Sequence, residues 1–196
     1  MSKAEKTKQY IIEKTAPIFN QKGYAGTSMS DITEATGLTK GSIYGNFENK
    51  DEVAVQAFKY NLKNLQEIFK REIQKQNTYK ARLLVYPNIY SGNFLKLLEN
   101  GGCPILNTAT ESDDTHPLLK RYADNAIQFW KNQIVDIINK GIQFGEFRGN
   151  NINPEVTALT IIATIEGAIM ITKLSGNLGD FKNIMLSVNK IIEDLT

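Results

Sequence analysis

The sequence predicts an all-α protein in which an N-terminal three-helix helix-turn-helix domain precedes a larger helical domain, with about nine helices in all. Apolar residues recur at spacings of three and four along most of the chain, which is the period of a helix packed on one face. Capping residues, glycines and prolines separate these segments. No segment shows the alternation of a β-strand. The two domains are expected over residues 1–49 and 50–196.

The first helix is expected over residues 3–22, where apolar residues at helical spacing form one face. Proline lacks the N–H donor that a helix interior uses. Because the apolar spacing continues past Pro17, we expect a kink at that residue rather than a break. Gly23 should end the helix.

Residues 27–50 predict two short helices around a tight turn. Ser30 is a suitable N-cap for the first, and Gly37 is suited to the left-handed position after its end. Thr39 should cap the second short helix, expected over residues 40–47. This is a helix-turn-helix arrangement, whose second helix can enter a DNA major groove.

A long helix capped by Asn49 should follow over residues 50–75 and lead into the larger domain. Residues 77–102 predict either one helix kinked at Pro87 or two shorter helices. The segment 154–174 is apolar nearly all round, which predicts burial on both of its sides. The other helices are expected over residues 105–112, 118–144 and 181–195, with caps at His116 and Asp180.

Composition places the chain among ordinary soluble globular proteins, with 41% hydrophobic and 22% charged residues. No run of 18 apolar residues predicts a membrane span, and the polar N-terminus lacks a signal region, so we expect a cytoplasmic protein without a membrane partner. The net charge of +2 argues against a general polyanion binder. Any contact with DNA must therefore come from a local patch.

The segment 22–52, KGYAGTSMSDITEATGLTKGSIYGNFENKDE, resembles the DNA-binding signature of the TetR family of bacterial repressors. The matching positions are Gly23, Tyr24, Thr27, Ser28, Asp31, Ile32, Ala35, Gly37, Lys40, Gly41, Tyr44, Phe47, Lys50 and Glu52. Gly45 and Asn46 depart from the pattern, since the family often carries histidine or a large polar residue there. The resemblance implies a ligand-responsive repressor that binds a palindromic operator as a homodimer and is released by a small-molecule effector.

Polar and small residues around the second short helix are the candidates for DNA contact. The candidates for base edges are Lys40, Ser42, Tyr44 and Asn46. The candidates for phosphates are Thr27, Ser28, Thr39 and Lys50. Gly41 would let the backbone approach the DNA closely.

A small-molecule cavity is the second hypothesis, because aromatic residues mixed with a few polar groups typically line such sites. The candidate lining is Tyr86, Tyr90, Phe94, Asn107, Glu111, Phe129, Trp130 and Gln133. An ordinary aromatic core remains the alternative for each of these residues.

The resemblance also implies that the last two long helices form a four-helix interface with a second copy of the chain. The candidate interface residues are Ile162, Glu166, Ile169, Met185, Val188 and Ile192. Glu166 stands alone among apolar neighbours, so burial would require a partner for its carboxylate.

An enzyme is the main alternative class of protein, and the sequence argues against it. Hydrolase elbows, glycine-rich phosphate loops and metal motifs such as HExxH and CxxC are absent. The single histidine, His116, and single cysteine, Cys103, cannot make a closed zinc site. We therefore expect no cofactor and no metal. Cys103 fits a packing position, with oxidant sensing as the alternative, and a helical interaction module without a DNA role is a third class.

Overall fold

The computed structural model describes residues 2–149 and 152–196, with the backbone but not the side chains of residues 93–99. Over this range the chain forms nine helices and no strand, which confirms the predicted all-α fold. In chain order these are α1 (Lys3–Gly26), α2 (Met29–Thr36), α3 (Lys40–Tyr44), α4 (Lys50–Gln74), α5 (Tyr79–Glu99), α6 (Pro104–Ser112), α7 (Pro117–Gln143), α8 (Pro154–Ser175) and α9 (Leu178–Glu193).

The chain divides into two compact units. The first comprises residues 1–65 and 99–124, and the second comprises residues 66–98 and 125–196. The first unit therefore contains α1 to α3, most of α4, α6 and the start of α7. The expected domain boundary after residue 49 stays a prediction, because a division by packing does not decide where functional domains begin.

Helix α1 is interrupted at Gly23, not at Pro17. The backbone leaves helical geometry at Gly23, with φ 73° and ψ 177°, and resumes one further turn up to Gly26. This combination of angles is accessible essentially to glycine alone. Gly23, where the helix was expected to end, is therefore a break in α1, and one more helical turn follows it.

The helix-turn-helix is present, with one correction to its first cap. Helix α2 is capped by Ser28 rather than Ser30, because the Ser28 hydroxyl accepts from the Asp31 N–H at 3.1 Å and the Asp31 carboxylate accepts from the Ser28 N–H at 2.7 Å. Such reciprocal bonds satisfy two N–H groups that a helix start leaves free. Gly37 ends α2 in the left-handed conformation, as expected.

Helix α3 is capped by Thr39 as predicted, but it spans only five residues. The Gly45 N–H closes it on the Gly41 carbonyl. Ile32 of α2 and Ile43 of α3 are fully buried together with Phe47. These three side chains form the small core on which the α2–α3 pair rests.

Later helices follow the predictions closely. Helix α5 is a single helix that contains Pro87. The Asn153 side chain caps α8 as predicted, whereas α9 is capped by Asn177 rather than Asp180. The His116 Nδ1 accepts from the Leu119 N–H at 3.2 Å, which confirms the predicted cap of α7.

Helices α8 and α9 pack against each other in the second unit. Helix α8 is long and apolar enough to cross a membrane by length and composition alone, with 44% of its most apolar window buried inside the protein. A core helix of a soluble protein satisfies the same criterion. Its apolar residues fall on two faces, one packed within the chain and one exposed.

Candidate DNA interface and effector region

Helix α3 exposes the residues best placed to meet DNA. Lys40 is exposed, and 47% of the surface of Tyr44 is accessible to solvent. Ser42 and Asn46 are half-buried, and the Asn46 amide donates to the Ser42 carbonyl at 2.9 Å. Lys40 and Tyr44 are therefore the exposed side chains of this helix, with exposed Gly41 between them.

The hydroxyl candidates for phosphate contact differ in accessibility. Ser28 and Thr39 are exposed and serve as helix caps. Thr27 is fully buried, and its hydroxyl donates to the Gly23 carbonyl at 2.6 Å. The structure therefore contradicts a phosphate contact by the Thr27 side chain, because that group packs inside the unit.

Lys50 has an internal role that the sequence did not reveal. Its ammonium donates to the carbonyls of Tyr24 and Thr27 at 2.7 and 2.8 Å and lies 4.2 Å from the centre of the Tyr24 ring. An ammonium has three donors, so two are committed to the last turn of α1 and to Thr27, which follows it. A phosphate contact by Lys50 stays a proposal that must compete with this anchoring.

Tyr24 links the start of α4 to the start of α7. Its hydroxyl is hydrogen-bonded to the Asp51 carboxylate, and this bond, with burial and the negative charge of Asp51, raises the pKa of Tyr24 to about 12. The His116 ring meets the Tyr24 ring edge-on at 4.6 Å, with its Nε2 3.6 Å from an Asp51 oxygen. Segment 23–27, just before the helix-turn-helix, is therefore held from several sides.

The predicted effector lining does not assemble as one site. Asn107 and Glu111 lie in the first compact unit, where they line a cavity of about 20 Å³. That space suits one water molecule, whereas ligand pockets usually measure about 300–1,000 Å³. Both side chains bond to the backbone of α1 or of the α5–α6 connection. These bonds to the protein's own backbone argue against the prediction that Asn107 and Glu111 contact an effector.

Three other members of that set do come together in the second unit. Tyr86, Tyr90 and Trp130 surround Phe69, with ring centres 5.1 to 6.3 Å apart. We call these four residues the aromatic cluster. All four are buried. Tyr86, Tyr90 and Trp130 thus lie together, and their role in binding an effector stays a prediction.

The remaining members are elsewhere. Phe129 is 47% exposed and Gln133 is also exposed, whereas Trp130 and Ile134 of the same helix are buried. Phe129 and Gln133 therefore lie on the outer face of α7, and their assignment to the cavity is corrected. The side chain of Phe94 lies outside the described residues.

Among the residues with described side chains, two buried donors of the aromatic cluster have no hydrogen-bond partner. These are the Tyr86 hydroxyl and the Trp130 Nε1–H. Burial alone raises the pKa of Tyr86, so its hydroxyl stays protonated and remains a donor. A buried donor without an acceptor is destabilising by about 1–3 kcal/mol. Such groups therefore require an explanation, and a bound acceptor is one.

The predicted dimer residues are all inside the chain. Each has at most 8% of its surface exposed, so none can supply the surface of a contact with a second copy. The buried set is Ile162, Glu166, Ile169, Met185, Val188 and Ile192. This corrects the expected interface, because these positions form the inner face between α8 and α9.

The opposite face of α8 is exposed and apolar. Its residues follow helical spacing along the whole helix, and we call them the α8 outer stripe: Val156, Leu159, Ala163, Met170 and Leu174. Leu174 is 84% exposed. A continuous apolar stripe of this kind is the usual mark of a protein contact.

Two family models match this chain. The model described as "Bacterial regulatory proteins, tetR family" matches residues 11–57, and the model "Tetracyclin repressor-like, C-terminal domain" matches residues 80–185. The second match alone covers more than half of the chain. The chain belongs to the TetR family of bacterial transcriptional regulators. The predicted family, the helix-turn-helix and the absence of an enzyme function are thereby confirmed.

Whole-chain relatives agree with this assignment. A TetR-family regulator from Cytophaga hutchinsonii is 47% identical, with a TM-score of 0.95 over 100% of this chain and 97% of that one. A TetR regulator from Chloroflexus aurantiacus is 34% identical, with a TM-score of 0.93 over 98% and 97%. The transcriptional repressor DhaR of Mycobacterium sp. GP1 is 26% identical over 87% of this chain and 84% of its own.

Some groups of this TetR-family chain take no evident part in transcriptional regulation. Cys103 is buried, and no group of three or more potential metal-binding side chains occurs among the residues with described side chains. Sequence reasoning missed two features of the structure, namely the residues of the exposed α8 outer stripe and the internal hydrogen bonds of Lys50. The helical spacing of the stripe is visible in the sequence. The contacts of Lys50 are not, because Lys50 binds Tyr24 and Thr27, which lie more than 20 residues away.

Proposed function

We propose that this protein is a ligand-responsive repressor that binds a near-palindromic DNA operator as a homodimer and leaves it when a small molecule binds. The observation that carries the proposal is the exposure of Lys40 and Tyr44 on an α3 held by a buried helix-turn-helix core. The relative DhaR, named as a transcriptional repressor, supports repression over activation. A repressor that binds chromosomal DNA acts in the cytoplasm, so a cytoplasmic location is part of this proposal.

Selection of binding sites from random duplex DNA tests this function. We expect the enriched sequences to contain two inverted half-sites whose centres are about one helical turn, 34–36 Å, apart. Gel shifts with the promoter of the protein's own operon would then show saturable binding. Enrichment of a single half-site, or none, would contradict binding as a two-fold dimer, and a helical module without a DNA role would enrich nothing.

Within this proposal, Lys40 contacts a phosphate or a base edge, together with Tyr44 and Ser42. Thr39 and Ser28, the exposed caps of α3 and α2, contact phosphates, and Gly41 allows close approach of the backbone. Asn46 must exchange its bond to the Ser42 carbonyl for a base if it reads the operator. Lys50 stabilises the segment before α2.

Lys40→Ala is expected to weaken operator binding and to lower the slope of log affinity against log salt by about 1. The reason is that the variant neutralises one phosphate fewer and so releases about one counterion fewer from the DNA. Binding titrations at four salt concentrations measure this slope. Lys50→Ala, which removes the same charge, is the matched control. Lys50→Ala should lower the melting temperature, because its contacts with the backbone are lost, and should leave the salt slope unchanged. If the salt slope of Lys50→Ala falls as much as that of Lys40→Ala, Lys50 also contacts a phosphate.

The effector, in this proposal, binds at the aromatic cluster. Four aromatic rings favour a planar molecule, and two neutral donors favour a ligand with a hydrogen-bond acceptor such as a carbonyl oxygen. The buried Tyr86 and Trp130 would supply these donors. An acceptor-bearing aromatic compound is therefore the expected class of effector.

Tyr86→Phe tests this assignment. Removing an unpartnered hydroxyl should leave the melting temperature of the ligand-free protein unchanged or higher. We expect planar aromatic carbonyl compounds to raise the melting temperature of the wild type and to release operator DNA. The variant should bind them about fivefold to tenfold more weakly, as for the loss of one neutral hydrogen bond. Equal binding by both proteins would exclude the Tyr86 hydroxyl as a ligand donor.

A further inference from the structure

We infer that Glu111 of α6 is a positioning residue for the helix-turn-helix: it fixes the segment before α2 and so sets the spacing of half-sites that the dimer accepts. This inference rests on the proposed operator binding. Its starting point is the break in α1 at Gly23, after which only a few residues lead to the Ser28 cap of α2. Whatever holds these residues also fixes where α2 begins.

The Glu111 carboxylate holds this segment by both oxygens. Its Oε2 accepts from the Tyr24 N–H at 2.7 Å, and its Oε1 accepts from the Ala25 N–H at 2.8 Å. Hydrogen bonds to an ionised carboxylate are roughly twice as strong as neutral ones. Two adjacent backbone groups are thus bound by one side chain that lies more than 80 residues away in the chain.

Gly23 makes room for that carboxylate. A Cβ at this position would lie 2.3 Å from Glu111 Oε2, well inside contact distance. The positive φ turns the following two N–H groups toward the carboxylate and is itself adverse for other residues. Gly23 and Glu111 therefore act as a matched pair.

Asn107, one turn earlier on α6, fixes the preceding turn of α1. Its amide donates to the carbonyls of Asn20 and Gly101 at 3.0 and 2.7 Å. The Asn20 amide in turn donates to the Gly102 carbonyl at 3.0 Å. Helix α6 and the turn before it thus bind the end of α1 on both sides of its break.

The same segment is held from α4 by the opposite charge. The Lys50 ammonium binds the carbonyls of Tyr24 and Thr27, while the Glu111 carboxylate binds the N–H groups of Tyr24 and Ala25. A short peptide segment is therefore held between an anion that binds its donors and a cation that binds its acceptors. Loss of the anion leaves the N–H groups of Tyr24 and Ala25 without their acceptor, while the contacts of Lys50 and of the Tyr24 side chain remain, so the backbone before α2 can shift relative to the body of α1.

Two recognition helices in a dimer must match the separation of two half-sites. If Glu111 limits the position of each α2–α3 pair, its removal widens the range of separations that the dimer tolerates. Discrimination between operators of different spacing then falls. A residue that contributes only to stability would lower the fraction of active protein and would leave that discrimination unchanged.

The test compares operator affinities at the selected spacing and at spacings one base pair longer and shorter, with protein concentrations normalised to active dimer by titration. For Glu111→Ala we expect the preference for the selected spacing to fall about tenfold, which corresponds to the loss of charge-assisted bonds. Glu111→Gln, which keeps one acceptor oxygen, should show a spacing preference between those of the wild type and Glu111→Ala. Asn107→Ala should also lower the spacing preference. Glu193→Ala, an equal charge change at an exposed site on α9, should match the wild type.

An unchanged spacing preference in Glu111→Ala and Glu111→Gln would overturn the inference. Amide hydrogen exchange at Tyr24 and Ala25 checks its premise, because their protection should be lost in Glu111→Ala and kept in the Glu193→Ala control. If the wild type selects no two-fold operator, the proposed function fails instead. The two failures are therefore distinguishable.

Discussion

Replacing Ala163 by arginine is expected to convert the protein to monomers and to lower its affinity for the operator by about a thousandfold. Ala163 is exposed at the middle of the α8 outer stripe, where helical spacing continues through Leu159 and Met170. Two copies that pair these stripes would bury the central position. The charged side chain of an arginine there would lose its hydration without gaining a hydrogen-bond or ion-pair partner, which makes the contact between the copies unfavourable.

The effect on DNA binding follows from the loss of one half-site. A monomer presents a single α3, whose affinity approaches non-specific binding, and specific sites are typically bound about 10³-fold tighter or better. The chain itself should stay folded because position 163 faces outward. Light scattering measures the oligomeric state, and a gel shift on the selected operator measures affinity.

Asn132→Arg is the matched control for this substitution. Asn132 is exposed on α7, so the variant introduces the same side chain on a different face of the second unit. It should remain dimeric and bind the operator like the wild type. A dimeric Ala163→Arg protein with full affinity would show that the α8 outer stripe is not the contact between copies.

Local signals made the helix-turn-helix predictable. Capping hydroxyls, a glycine in the left-handed conformation and a short buried core all act within a few residues, and each leaves a mark in the sequence. The cap of α2 was still misplaced by two residues, because Ser28 and Ser30 both suit the position. The reciprocal bond to Asp31 decides for Ser28.

The face that each residue presents was harder to predict. Helix α8 is apolar on two sides, so its pattern predicted two contacts without deciding which side meets α9. Ile162 and Ile169 were therefore assigned to the dimer although they pack within the chain. The same limit applies to Phe129, which is as aromatic as its buried neighbour Trp130 but faces solvent.

Long-range polar partners could not be predicted from the sequence at all. Nothing in the residues around Glu111 indicates that its carboxylate binds N–H groups near Gly23. A glutamate and an asparagine on a short helix fitted a ligand site equally well. Only the fold distinguishes a side chain that binds an effector from one that binds the protein's own backbone.

Gly23→Ala should destabilise the protein by about 3 kcal/mol, because two adverse effects coincide. The backbone at φ 73° and ψ 177° is strained for any residue with a side chain, and the new methyl group would displace the Glu111 carboxylate. Gly37→Ala is the matched control. Gly37 also has a positive φ, 68°, but a Cβ there would meet nothing within 4 Å, so only about 1 kcal/mol should be lost.

Urea denaturation of the two variants measures this difference, and a double-mutant cycle isolates its cause. In a Glu111→Ala background the methyl group at position 23 no longer displaces a carboxylate. Gly23→Ala should therefore destabilise that background less than it destabilises the wild type, while Gly37→Ala should have the same effect in both. Equal effects of Gly23→Ala in the two backgrounds would mean that backbone strain alone explains the glycine, and that residues 23 and 111 are not coupled.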